Sequence, residues 1–340
     1  MNGNRNKKII IYGTGQYGCR IATIALSKGY DIIGAYNRAG IKVGQDLGRV
    51  AGLNYDLGVI IQDCDKVDYS AVKADIAVVA MTNVLAQNLP AYRQLLSAGM
   101  NVICHGSESY FPQGSNSTIV SEIDALAKQH GVTFTGAGIW DMSRIWSGIL
   151  ATAPCTTLHS LTHCSLTNLS IQAESLAQAM QVGAGLSIDE FYAKGLDKSP
   201  IAGSYKTVPQ HVLHALGFSI SNTTFSVEPL SLNYTIHDEK LGVFPAGICL
   251  GSRAKVLVST DEGVTASADI DVRICKPNEV EYMSWEIDGT PSNKVIMERR
   301  ETDFATASCL FNRINDVVAA RPGVVLLSEL GPMKGSFHYD

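Results

Sequence analysis

The chain's first apolar run, residues 8–12 (KIIIY), is continuous, of strand length and closed by a glycine. Residues 17–28 then carry apolar positions at helical spacing until Gly29 ends the segment. The alternation continues, with strands expected over 31–36, 58–62, 74–81, 101–104 and 132–136 and helices over 84–98 and 117–130. Strands taking turns with helices predict a parallel, doubly wound α/β sheet. After Gly138 the pattern changes. Residues 139–150 (IWDMSRIWSGIL) read as helical and 156–168 as a strand, followed by helical segments around 171–182, 188–194 and 207–217. Strand-rich runs at 225–237, 244–260, 264–275 and 281–299, the last broken by the turn DGTPS at 288–292, predict an α+β domain on a largely antiparallel sheet. A closing helix over 302–320 stops before Arg321 and Pro322. The expected organisation is a doubly wound domain over 1–138, an α+β domain over 139–300, and a closing helix and tail over 301–340 that pack back on the first domain.

Between the first strand and helix lies GTGQYG (Gly13, Thr14, Gly15, Gln16, Tyr17, Gly18), a GxGxxG in the strand-turn-helix context that a dinucleotide site requires. The first glycine permits the tight turn, the second admits a pyrophosphate against backbone, and the third lets helix pack closely on strand. Amide groups at the helix start, and the positive end of its dipole, then face the phosphates. The second strand ends in Asn37 and Arg38. A carboxylate there would bond the ribose 2'-hydroxyl of NAD and repel a 2'-phosphate, so amide and guanidinium favour NADP, with NAD possible. The bland alternative is an arginine that merely opens a solvated loop. Ala80, Met81 and Thr82 follow the fourth strand and are expected near the nicotinamide; core packing and a simple helix cap are their alternative roles.

Composition narrows the classes. With 340 residues, 46% hydrophobic and 17% charged, the chain can fill two cores. A net charge of -5 without any dense Lys/Arg stripe argues against nucleic acid. Eight cysteines are scattered singly and read as reduced, mostly buried thiols. The basic lead MNGNRNKK runs straight into a strand without a signal peptide's apolar core, and no uncharged run reaches the roughly 18 residues that span a bilayer, so the cytoplasm is the expected compartment. The pairs His211/His214 and His159/His163 lack a recognisable third ligand, so no metal site is expected. No GxSxG elbow or Walker loop supports hydrolysis or phosphoryl transfer.

Several further strings accompany GTGQYG: VGQDLG at 43–48, CHGSESYFP at 104–112, FTGAG at 134–138, GLSIDEFYAKG at 185–195 and VVAARPGVVLLSELGPM at 317–333. Together they resemble the family of 2,4-diaminopentanoate dehydrogenases and native amine dehydrogenases, a distant relative of dihydrodipicolinate reductase. The resemblance implies an NAD(P)-dependent oxidoreductase acting on CH–NH2 groups, a small amine or carbonyl substrate and a homodimer. Where the family carries an acidic dyad before an aromatic-Pro pair, this chain has Ser107 and Glu108, which makes Glu108 the catalytic candidate. A carboxylate just past the fifth strand can stabilise an iminium, deprotonate an ammonium or activate water; without the family it would read as a solvated loop acid. His105 is a second candidate for proton transfer, with a structural histidine as its alternative. The family's Asn-Pro-Gly type turn is replaced by Ile139, Trp140 and Asp141. Trp140, Asp141 and Arg144 are therefore expected to line the substrate pocket, against a plainer account of a buried Trp140 and an i,i+3 ion pair from Asp141 to Arg144. The His-Lys and Ser-Gly-Thr signature of dihydrodipicolinate reductase is absent. Imine or carbonyl reduction without ammonia, and a noncatalytic dinucleotide sensor, remain as alternative functions.

Overall fold

The structure, a computed structural model, describes residues 7–173, 175–299 and 305–337. Within them the chain forms two compact units, one spanning 7–142 and 305–337 and the other 143–299. The boundary expected at 300/301, the start of the closing helix at 302 and the basic lead at 1–6 lie outside the described residues.

In the first unit, β1 (Lys8–Tyr12), β2 (Asp31–Asn37), β3 (Ile61–Asp63), β4 (Ile76–Val79), β5 (Asn101–Cys104), β6 (Thr133–Gly136) and the short strand Gly323–Val324 make a seven-stranded sheet. All pairings are parallel, in the order Gly323–Val324, β6, β5, β4, β1, β2, β3. This is the Rossmann arrangement, whose direction of growth reverses between β1 and β4 and leaves a crevice at their carboxyl ends. Burial on both faces explains the unbroken apolar run: Ile9, Ile10 and Ile11 are fully buried. Helix α1 (Gln16–Ser27) and the closing helix Ala305–Ala319 cover one face. After the short α2 (Leu47–Val50), α3 (Leu85–Ser97), the short α4 (Pro112–Ser115) and α5 (Ser117–Gln129) follow in sequence, and α3 and α5 cover the other face. The strand expected over 58–62 is displaced to Ile61–Asp63, because Gly58 sits at a left-handed φ of 73°.

In the second unit, β7 (Thr157–Asn168) and β8 (Ile220–Ser231) are followed by a two-stranded ribbon of β9 (Ile236–Asp238) and β10 (Gly242–Phe244). β11 (Cys249–Thr260), β12 (Thr265–Arg273), β13 (Glu281–Thr290) and β14 (Asn293–Arg299) complete a six-stranded sheet in the order β14-β13-β7-β12-β11-β8. Its pairs are antiparallel except β7 with β12, so the expectation of a largely antiparallel sheet holds. No helix among the described residues is long and apolar enough to cross a membrane.

The helical stretch expected over 139–150 is a π-helix at Asp141–Trp146 continued by the α-helix Ser147–Thr152. The wider π turn takes residues three apart off a shared face, and the i,i+3 ion pair from Asp141 to Arg144 does not form. Asp141 instead takes two hydrogen bonds from Arg313, Nε to Oδ2 at 2.5 Å and Nη2 to Oδ1 at 2.9 Å, with both side chains fully buried. Arg313 also donates to the Gly331 carbonyl at 2.7 Å, pinning the tail. Arg144 is 1% exposed, and its Nη1 lies 2.9 Å from His163 Nε2 within the second unit. Arg313→Met strands the Asp141 carboxylate away from water and is expected to destabilise the first unit by about 3–5 kcal/mol in urea unfolding, with the double variant Asp141→Leu/Arg313→Met recovering much of the loss.

Candidate active site

The glycine turn sits at the topological switch point. Gly13 N donates to Tyr36 O on β2 and Ala80 N to Tyr12 O, both at 2.8 Å, which locks the turn between β2 and β4. Gly13 has φ 102°, and a Cβ on it would lie 2.5 Å from the Ala80 carbonyl oxygen. A Cβ on Gly18 would lie 1.9 Å from the Gly13 carbonyl oxygen, so α1 meets β1 at a distance only glycine permits. Gly15 differs: a Cβ there meets nothing within 4 Å. Gly15 and Gln16 are exposed, and α1 has no side-chain cap at its N-terminus. By contrast, Asp46 caps α2 and Asn116 caps α5. Open space in front of uncapped amides fits the pyrophosphate of a dinucleotide.

Gly13, Gly15, Asn37, Arg38, Ala80, Met81 and Thr82 line one groove of about 190 Å³, so seven of the residues expected at the cofactor are brought together. Asn37 is half-buried and Arg38 exposed. Thr14 is fully buried beneath the turn, and Tyr17 turns from it to stack on His105 at 4.3 Å between ring centres. Tyr12 and Cys64 also line the groove and escaped the sequence reading, because only the strand order carries the end of β3 to the end of β1. Lys42 was missed too: its ammonium donates to the Thr14 carbonyl at 2.7 Å. No sequence spacing rule pairs those positions.

Thr82 is held by Asn88, a buried side chain whose Nδ2 donates to Thr82 O at 2.8 Å and whose Oδ1 accepts from Thr82 Oγ1 at 3.2 Å. Opposite it, the loop after β5 carries the two catalytic candidates. Glu108 Oε2 accepts the Leu85 N–H at 2.7 Å, so the carboxylate sits at the N-terminus of α3. No other hydrogen bond reaches its carboxylate among the described residues. His105 is half-buried against Tyr17, with Nδ1 3.3 Å from Val79 O. Burial pushes its pKa down to about 4, so the ring is neutral at pH 7 and resists taking up a proton.

The three residues expected at the substrate are divided. Trp140 is half-buried, 5.2 Å from the Tyr110 ring. Asp141 is spent on Arg313 and Arg144 is buried beside His163, so neither presents its charge to a polar substrate. The π turn that redirects them has no signature in apolar spacing. Both ring nitrogens of His163 are engaged, Nδ1 lying 2.8 Å from Ser284 O, and burial pushes His211 down to about 3. All eight cysteines are free thiols, four of them buried.

A Rossmann unit with an open phosphate turn, a groove at the end of β2 and a carboxylate past β5 defines an oxidoreductase of the dinucleotide-dependent kind. The chain's relatives agree. It is 26% identical over 338 residues to 2,4-diaminopentanoate dehydrogenase of Acetoanaerobium sticklandii, covering 95% of this chain and 93% of the relative. Its structure superposes on amine dehydrogenase from Mycobacterium smegmatis with a TM-score of 0.85 and 26% identity, over 99% of each chain. Myo-inositol 2-dehydrogenase from Lactobacillus plantarum shares the fold at a TM-score of 0.57 and 13% identity, over 96% of this chain and 93% of that one. No protein-family model matches the chain. The resemblance drawn from the motifs therefore holds: the chain is an oxidoreductase similar over nearly its whole length to an amine dehydrogenase and to a 2,4-diaminopentanoate dehydrogenase.

Gly15→Ala is expected to unfold like the wild type yet bind a dinucleotide at least about 10-fold more weakly by calorimetry, whereas Gly18→Ala loses stability outright. A second expectation concerns acid. The folded-state pKa of His105 lies below its unfolded value of about 6.5, so stability present above that pH drains as the pH falls towards the folded value. His105→Gln should flatten that part of the urea-midpoint profile; an unchanged slope would exclude His105 as its source.

Proposed function

We propose that the chain is an NADP-dependent amine dehydrogenase, catalysing reductive amination of a carbonyl compound and, in reverse, oxidative deamination of an amine or diamino acid. The observation that carries this reading is the Glu108 carboxylate, held by the Leu85 N–H beside the ends of β4 and β5, in a chain similar over nearly its whole length to an amine dehydrogenase. When bound, the nicotinamide supplies or removes a hydride at the carbon that bears nitrogen. Condensation of the carbonyl with ammonium expels water and leaves a cationic iminium, which carries the proton and charge of the ammonium and which an anionic side chain favours over the neutral carbonyl. Glu108 supplies that charge, and in the deamination direction it accepts the proton that the substrate ammonium must lose before hydride departs. Anchoring one oxygen on Leu85 fixes the carboxylate without consuming its charge. Neutral His105, packed on Tyr17, gives the site a fixed wall that adds no competing positive charge. Trp140 is the apolar contact for the substrate's carbon skeleton.

NADP is favoured over NAD because the end of β2 carries Asn37 and an exposed Arg38 where a ribose-binding carboxylate would stand. We expect the active form to be a homodimer, which light scattering checks.

Glu108→Gln keeps an oxygen for the Leu85 amide and removes only the charge. Assayed with ketones or diamino acids and ammonium, it is expected to lower kcat about 10²–10⁴-fold while leaving dinucleotide affinity unchanged. Equal turnover by variant and wild type would remove Glu108 from the mechanism, and ketone consumption indifferent to ammonium would convert the reading to carbonyl reduction.

A further inference from the structure

The loops that follow β4 and β5 stand on one buried polar base. Asn88 Nδ2, which donates to Thr82 O, also donates to Tyr92 Oη at 3.1 Å. Tyr92 Oη in turn donates to Cys104 Sγ at 2.8 Å, and Gly106 N donates to the same sulfur at 3.3 Å. Asn88, Tyr92 and Cys104 are all fully buried. Beyond that base the two loops press together: a Cβ on Gly106 would lie 2.6 Å from the Thr82 carbonyl oxygen.

Glu108 stands in a single 3₁₀ turn, Ser107–Ser109, and the residue before it, Gly106, has no side chain with which to cap it. The first N–H groups of such a turn find no partner within it. One residue of the other loop takes both: Ser107 N donates to Asn83 Oδ1 and Glu108 N donates to Asn83 O, each at 3.2 Å. Asn83 thus does from 24 positions away what an N-cap residue does for its own helix. With the Leu85 N–H on the carboxylate, residues 83–85 hold both the turn and the charged group it carries. The Leu85 N–H and the Asn83 carbonyl are main-chain groups, so the Asn83 amide is the tie that a side-chain substitution removes. Asn83 also follows Thr82 directly, and Thr82 lines the groove.

We propose that Asn83 is a positioning residue for Glu108: its side chain caps the turn that carries the carboxylate and so fixes that carboxylate relative to Thr82. The inference rests on the reading of Glu108 above and deepens it. Asn83 exchanges no proton in the reaction. It acts by keeping the carboxylate in one place, and a misplacement of about 1 Å at a reacting group costs up to about 10²-fold in rate.

A double-mutant cycle on the full chain tests it, with wild type, Asn83→Ala, Glu108→Gln and the pair, each checked for a wild-type unfolding midpoint. Asn83→Ala is expected to lower kcat with ketone and ammonium about 10–100-fold, while substrate KM and dinucleotide Kd stay within about 3-fold. On the Glu108→Gln background the same substitution should change kcat by less than about 2-fold, because the charge it positions is already gone. Hydrogen exchange of the ligand-free chain supplies a second readout. The Ser107 and Glu108 amides should exchange at least about 10-fold faster in Asn83→Ala with β4 and β5 unaffected, and Asn83→Asp, which keeps the acceptor oxygen, should restore protection at Ser107. An equal loss of kcat on both backgrounds, no loss on either, or unchanged exchange overturns the positioning role while leaving the functional reading intact. A wild type without ammonium-dependent turnover overturns the functional reading and the proposal with it.

Discussion

The approach of α1 to β1, so close that the place of a Gly18 Cβ is filled by the Gly13 carbonyl, is the constraint on which the site depends. It presses the start of α1 against the carboxyl end of β1, where the helix's first amides have no side-chain cap. Close-packed interiors do not yield by half an ångström, which makes the geometry all-or-none. The groove, the Lys42 anchor on Thr14 and the Gly13 tie to β2 all take their positions from that contact.

Around this point the unit uses charge in three distinct ways. Buried charge is cancelled outright, as in Asp141 with Arg313, where two direct hydrogen bonds compensate for the loss of water. Half-buried charge is anchored to backbone and kept, as in Glu108 on the Leu85 amide and Lys42 on the Thr14 carbonyl. Histidine is held neutral by burial, as in His105. Glu108 lies past β5 and Arg38 past β2, so charges of opposite sign follow the two strands. Within the second unit, Arg144 lies beside His163 and over the Tyr205 ring, 5.4 Å from its centre.

The signal that would have revealed Arg313 was present in the chain: a charged residue on the apolar stripe of the closing helix, among Leu310, Phe311, Ile314 and Val317. A cation on such a stripe must find a buried partner, yet nothing in the spacing points 172 residues back to Asp141. Asn88 in α3 is similar, since a polar side chain facing the core implies a backbone to hold, here that of Thr82.

By itself the sequence determined the alternation of strands and helices, the strand-turn-helix around GTGQYG, the placement of Glu108 just past a buried strand and the resemblance to amine dehydrogenases. Those features rest on local rules: apolar periodicity, glycine stereochemistry and short motifs, each confined to a few neighbouring residues. The tertiary structure alone decided which distant residues meet. It brought Cys64 beside Tyr12, Lys42 onto Thr14, Arg313 onto Asp141 and Arg144 beside His163. The reason is physical: a charge's role is set by the solvent and partners around it, and those are fixed only when sheet order and helix packing bring remote segments together.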